Sequence, residues 1–321
     1  MQLNLLRSLF SLRKRNDYPV YSMTYYGDYG FDDFLKQGAK NDSDLLQFVK
    51  NRLLGKNDIE ISVDNMGCTA FSSMGKNGGI LYGRNYDFPY CPSIVVKTKP
   101  KNGYASISVS DMTPLGYGKN NLPKGIRGKL PLLALPYTPF DGMNEKGLAI
   151  AILKVAKTEL PNDPDKITLN TTTMIRLVLD KAATVDEAVA LFQNYNMYFS
   201  GDIYCHYLIT ERSGKSAIVE YWEGKMHVVE ENIASNFHAH NRYSEVYATC
   251  AHSRYDKVKT TINELGRKLD IIEASKLLCN VGCYTKDGDC MLQWSVVYDL
   301  SALEGMIFPH RDMSKPYRFR L

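Results

Sequence analysis

Met66-Gly67-Cys68-Thr69-Ala70-Phe71, followed by Gly83-Arg84-Asn85-Tyr86-Asp87-Phe88, is the pair of segments on which the reading of this chain turns. Between them Lys76-Asn77-Gly78-Gly79 reads as a turn, so residues 68–74 and 80–86 form a hairpin. Folding back brings Arg84 and Asp87 toward Cys68. A guanidinium is permanently charged and can hold a thiolate by charge and hydrogen bonds. Asp87 can orient that guanidinium or an amine. Gly67, directly before the thiol, tolerates a strained backbone. By themselves these residues fit a buried structural cysteine beside a solvated Arg–Asp pair at least as well.

Outward from this hairpin the chain alternates between strand and helix patterns. Residues 1–22 read as loose, and residues 42–55 as a helix capped by Asp42 or Ser43 and stopped by Gly55. Strands are expected at 93–98, 104–110 and 147–155, with a Gly/Lys/Asn-rich loop at 116–128. Helical periods follow at 171–182 and after Thr184-Val-Asp-Glu187, a capping-box pattern. Strands return at 204–210, 217–222 and 226–230, helices at 254–269 and 272–278, and strands at 294–300 and 305–309. This order predicts an α+β fold in which two sheets pack together with helices outside.

Composition bounds the rest. The chain has 321 residues, 44% hydrophobic and 23% charged, which excludes a disordered chain, a collagen-like repeat and a small disulfide scaffold. A net charge of +4 gives no electrostatic footprint for nucleic acid. Twenty-two tyrosines suit strands and pocket walls. No apolar run approaches the ~20 residues of a membrane helix. The apolar N-terminal stretch is broken by Arg7 and precedes the basic Arg13-Lys14-Arg15, the reverse of a secretory signal. The seven cysteines, with no Cys-x-x-Cys, are therefore expected to be reduced thiols of a cytoplasmic protein. Neither Cys279/Cys283/Cys290 nor His238/His240 has convincing metal-ligand spacing. No His-Glu-x-x-His, Gly-x-Ser-x-Gly or dinucleotide fingerprint occurs.

Taken together with Asp141-Gly-Met-Asn144-Glu-Lys-Gly-Leu148, the Gly-Cys junction and the Gly-Arg-Asn-x-Asp-Phe stretch resemble the choloylglycine hydrolase and penicillin acylase group. Thr210-Glu-Arg-Ser-Gly214, Ser235-Asn236-Phe237, Ser253-Arg254-Tyr255 and Trp294-Ser-Val-Val-Tyr298 resemble later family motifs in the same order, over about residues 61–300. The resemblance implies an N-terminal nucleophile hydrolase fold, a four-layer αββα sandwich of two mainly antiparallel sheets. It implies a catalytic set of Cys68, Arg84, Asp87, Asn144, Asn236 and Arg254, with no cofactor and no metal. Cys68 is then the nucleophile, Arg84 and Asp87 follow it by 16 and 19 positions, Asn144 and Asn236 match polar groups at the oxyanion site, and Arg254 matches the distal arginine.

The implied reaction is hydrolysis of a linear amide C–N bond through a thioester. An N-terminal cysteine carries its own base, an α-amine with a reference pKa of about 8. That requires autoproteolysis between Gly67 and Cys68, dividing the chain into a leader, 1–67, and a catalytic domain, 68–321. A long leader resembles the pro-segments of acyl-CoA:6-aminopenicillanic acid acyltransferases, so acyl transfer to an amine acceptor is the alternative. A Cys-His protease using His206 or His238 has no local signature. The implied partner is a small N-acyl amide, such as a bile-salt conjugate, a phenoxyacetyl-type penicillin, an acyl-homoserine lactone or an acyl-amino acid. Stable membrane insertion is not implied, and the oligomeric state is open, a homo-oligomer being compatible with the reading.

Overall fold

A computed structural model describes residues 3–54, 67–241, 250–284 and 291–321. Among these, nine strands form one sheet in the order Arg13–Lys14, Val20–Thr24, Ser93–Thr98, Ser106–Asp111, Asp141–Asn144, Ala149–Lys154, Cys205–Thr210, Ser216–Trp222, Lys225–Val229. All neighbours are antiparallel except Val20–Thr24 and Ser93–Thr98. The second sheet runs Ile233–Ala234, Gly67–Gly75, Ile80–Asp87, Leu292–Asp299, Glu304–Pro309, Tyr317–Arg320, with Lys268–Leu269 added in parallel beside the end of Gly67–Gly75.

The period-2 alternation of side chains sorts the second sheet into two faces. Cys68, Ala70, Tyr82, Tyr86, Trp294, Val296 and Tyr298 join the large core shared with the first sheet. Phe71, Leu81, Val297 and Ile233 instead pack with Tyr255, Val258, Leu277 and Leu278 of helices Ala251–Glu264 and Ile271–Asn280. Helices Thr171–Lys181 and Val185–Gln193 cover the outer face of the first sheet. The result is the expected α+β, αββα stack.

Local signals mostly place these helices. Thr184 accepts from Glu187 N, while the Glu187 carboxylate reaches Ala183 N. Asp270 and Glu273 form a full capping box that starts the last helix at Ile271. The helix expected at 42–55 is α-helical over Asp42–Val49 and π-helical over Lys50–Leu54. Its cap is Asn41, whose side chain accepts from Asp44 N at 2.9 Å; residue 55 lies outside the described residues. The helix expected at 254–269 spans Ala251–Glu264, and its last positions become the strand Lys268–Leu269.

The expectation of a loose N-terminal stretch at 1–22 fails for residues 3–22, residues 1 and 2 lying outside the described residues: helix Leu3–Phe10 and two strands occupy this stretch, and Leu9 and Val20 are buried. The cause is tertiary. Val20–Thr24 supplies an additional strand to Ser93–Thr98, so backbone groups left open on that strand are paired.

Candidate active site

The hairpin predicted at residues 68–86 forms as strands Gly67–Gly75 and Ile80–Asp87, with Cys68 opposite Tyr86 and Ala70 opposite Arg84. This register puts the Cys68 and Arg84 side chains on the same inner face. Arg84 Nη2 lies 3.9 Å from Cys68 Sγ and 3.3 Å from the carbonyl oxygen of Ile152. The guanidinium sits over the rings of Tyr86 and Trp294, at 4.7 and 5.4 Å from their centroids. Its Nε is 3.4 Å from Asp141 Oδ2, and Tyr298 OH donates to Asp141 Oδ1. A fully buried guanidinium is thus balanced by a fully buried carboxylate, as burial of charge requires.

Around the backbone of Cys68 the contacts come from distant segments. Its N–H donates to Asn236 Oδ1 at 2.7 Å. Asn236 Nδ2 in turn donates to the carbonyl of Lys154 at 2.7 Å, tying this residue to the other sheet. Arg254 donates through Nη1 to the Cys68 carbonyl and to Thr69 Oγ1, each at 2.7 Å, and through Nη2 to Asn236 Oδ1 at 2.5 Å. Asp87 Oδ2 is 3.7 Å from Arg254 Nη1, and its Oδ1 accepts from Cys283 N at 2.9 Å.

Gly67 is required here for space. A Cβ on it would lie 2.7 Å from Cys283 Sγ and 3.3 Å from Asp87 Cβ, and its φ is not in the left-handed region. Strain is therefore not the reason for the glycine; close approach is.

Burial dominates the titration of this cluster. It pushes the Cys68 thiol up, against the lowering charges of Arg84 and Arg254. It pushes Asp87 up to about 6, opposed chiefly by Arg254 and by the Cys283 N–H. Asp141 is raised by burial and held back by Arg84.

Of the six residues singled out in the sequence, five converge: Cys68, Arg84, Asp87, Asn236 and Arg254. Asn144 does not join them. Its Nδ2 donates to the carbonyls of Leu179 and Ala182, at 3.1 and 2.7 Å, and its Oδ1 accepts from Lys146 N and Leu148 N. It locks a turn onto the end of helix Thr171–Lys181, and every polar atom of its side chain is spent there. His206 and His238 turn to Glu220, with Nδ1 at 3.1 and 3.7 Å from its Oε2, and Glu220 also accepts from the N–H groups of Ala239 and His240. Among the described residues no group of three or more His, Cys, Asp or Glu side chains could hold a metal ion.

Two contributors were missed in the sequence. In the sequence Asp141 stands only as the start of a motif, and Thr69 only as a neighbour of Cys68. A carboxylate opening the strand Asp141–Asn144, just after the apolar Phe140, was the available signal, since a buried group of this kind needs a cationic partner.

The model of the linear amide C–N hydrolases, choloylglycine hydrolase family, matches residues 68–265. A penicillin V acylase of Pectobacterium atrosepticum is 38% identical over 96 residues, which is 26% of this chain and 26% of that protein. The match thus spans about a quarter of the length of that curated relative. In fold, the chain is similar to a mutant conjugated bile acid hydrolase from Clostridium perfringens, with a TM-score of 0.59 and 17% identity over 79% of this chain and 92% of the other. It is similar also to the penicillin V acylase from Agrobacterium tumefaciens, with a TM-score of 0.55 and 19% identity over 78% and 85%. The layered α+β architecture is that of the N-terminal nucleophile hydrolases, and the chain belongs to the choloylglycine hydrolase family of linear amide C–N hydrolases.

Proposed function

We propose that this protein is a cysteine amidase that hydrolyses the linear C–N bond of an N-acyl amide through a thioester on Cys68, after cutting its own chain between Gly67 and Cys68. The observation that carries the reading is the pairing on Cys68 of two kinds of contact: Arg84 beside Sγ at 3.9 Å and Asn236 on the backbone nitrogen at 2.7 Å. A nucleophile needs its anion stabilised and its proton removed. Arg84 serves the first need, being permanently charged.

The second need falls to the nitrogen of Cys68. Burial raises the thiol, so it does not ionise unaided. Once the peptide bond before it is cut, that nitrogen becomes an amine with a reference pKa of about 8, able to take the thiol proton near neutrality. Asn236 Oδ1 accepts from it and so keeps it oriented. Arg254 and Asp87 fix the same strand end. The amine then passes the proton to the leaving nitrogen, and water, deprotonated by the same amine, releases the acid from the thioester. Among the described residues Arg84 Nη1 has no hydrogen-bond partner. Such a buried charged donor is costly to leave unpaired and gains from an oxygen developing charge in the substrate.

The acyl group is apolar on this reading. A mostly apolar cavity lies between the nine-stranded sheet, the start of helix Thr171–Lys181 and the leader, lined among others by Leu45, Phe140, Ile152, Ile203 and Cys205. Ile152, which lines the cavity, is also the residue whose carbonyl accepts from Arg84, and this shared residue supports the cavity as the acyl site. The relatives named for conjugated bile acids and penicillin V suggest the class: an amine or amino acid joined to a bulky apolar acid. Leu45 belongs to the leader, so the leader stays in place as part of the catalytic body after cleavage.

Intact mass of the purified protein, alongside an N-acyl amide panel, tests the proposal. A chain beginning at Cys68 and releasing acid from at least one such amide is expected. An uncut chain with full activity would overturn the self-cleavage, and a cut chain inactive on every apolar N-acyl amide would overturn the substrate class.

A further inference from the structure

The thiols of Cys250 and Cys283 take no step in the proposed amide chemistry, yet their Sγ atoms are 3.7 Å apart, in van der Waals contact, beside the bond proposed to be cut. Cys250 sits at the N-terminal end of helix Ala251–Glu264 and is half-exposed, whereas Cys283 is buried. Arg254 follows Cys250 by one turn of the same helix, so its guanidinium and the thiol share a face. The Cys283 sulfur lies against Gly67, and its N–H holds Asp87.

From this geometry we propose that Cys250 and Cys283 are a redox-active dithiol that closes reversibly into a disulfide across the wall of the Cys68 site. The two roles differ. A thiol at a helix N-terminus beside a guanidinium is the attacking one, and a buried thiol in contact with it is the resolving one. The electrostatics agree in direction: the hydrogen bond from Cys283, then Arg254, lower Cys250, while that same bond and burial raise Cys283.

With a small-molecule disulfide such as glutathione disulfide as oxidant, the Cys250 thiolate attacks one of its sulfurs and expels the first small thiolate. Cys283 then gives up its proton to water and attacks Cys250 Sγ, expelling the second. Two electrons pass from the two protein thiols to the oxidant, which ends as two small thiols. The cross-link ties the start of the helix that carries Arg254 to the residue whose amide holds Asp87, and so fixes both flanks of Cys68. It does not depend on the amidase reading, since no step uses Cys68.

The test is a glutathione redox titration of the full chain, followed by acid quench, denaturation, alkylation and peptide mass mapping. A peptide joining Cys250 to Cys283, reversed completely by dithiothreitol, is expected, with Cys68 still alkylated. In Cys250→Ser the cross-link is expected to vanish and Cys283 to stay unmodified. Pairing of either cysteine with Cys68 or Cys290 instead, or both thiols still alkylated at the most oxidising ratio, would overturn the proposal.

Discussion

Arg254 Nη1 donates to the carbonyl oxygen of Cys68 at 2.7 Å, across 186 positions of chain. A helix of one layer thereby holds the backbone of the first strand of the next. The same guanidinium reaches Thr69 and Asn236, so three groups around the thiol share one clamp.

Replacing Arg254 with Lys keeps the charge and loses the planar fork. At least a tenfold fall in kcat/KM is expected, since a hydrogen bond to a charged group contributes roughly 1.5–3 kcal/mol and two or more are lost. Steady-state kinetics on the best amide substrate decides it; a change of less than twofold would make the clamp dispensable.

Cys68→Ala should remove self-cleavage and amide turnover together, leaving a full-length chain by mass spectrometry. Turnover in that variant would move the nucleophile elsewhere.

Asn144→Ala separates position from chemistry. Four hydrogen bonds to backbone groups are lost, so a drop in stability of about 2 kcal/mol or more is expected. The folded fraction should retain kcat/KM within about twofold. A large loss of kcat with unchanged melting temperature would return Asn144 to the catalytic set.

Asp87 gives a pH signature. Its folded pKa is raised to about 6, above the carboxylate value of the unfolded chain, so between about pH 4 and pH 6 the native state holds the extra proton. Native stability therefore falls as pH rises through that window, and the contribution is level above it. Thermal melts of wild type and Asp87→Asn from pH 4 to 7 should show the wild type losing ground to the variant as pH rises to about 6. A constant difference, or one that grows in favour of wild type, contradicts the raised pKa.

The leader should remain bound after cleavage. Val20–Thr24 is hydrogen-bonded into the nine-stranded sheet, and Tyr29 OH donates to the buried Asp180 at 2.6 Å. Both fragments are expected in one gel-filtration peak, separating only in denaturant. A leader lost on dilution would show that these contacts do not hold it.

Local patterns carried much of this. The Cys68–Arg84 hairpin was legible because alternation and a Lys76-Asn77-Gly78-Gly79 turn specify both pairing and register, and register decides which side chains share a face. The cap at Thr184 was legible because capping is short-range chemistry. The stretch up to residue 22 was misjudged because an added strand draws its stability from its neighbour, Ser93–Thr98, some 70 positions away.

The sequence by itself determined the fold class, the family and the residues that meet at Cys68 through its own hairpin, because each rests on nearest neighbours or on ordered motifs. Only the tertiary structure decided that Asp141 rather than Asn144 comes to Arg84, and that Cys250 meets Cys283 beside Gly67. Asp141 and Asn144 lie three positions apart on one strand, and adjacent positions along a strand point to opposite faces. Which face meets the other sheet depends on how the two sheets stack, and no local signal in either strand encodes that.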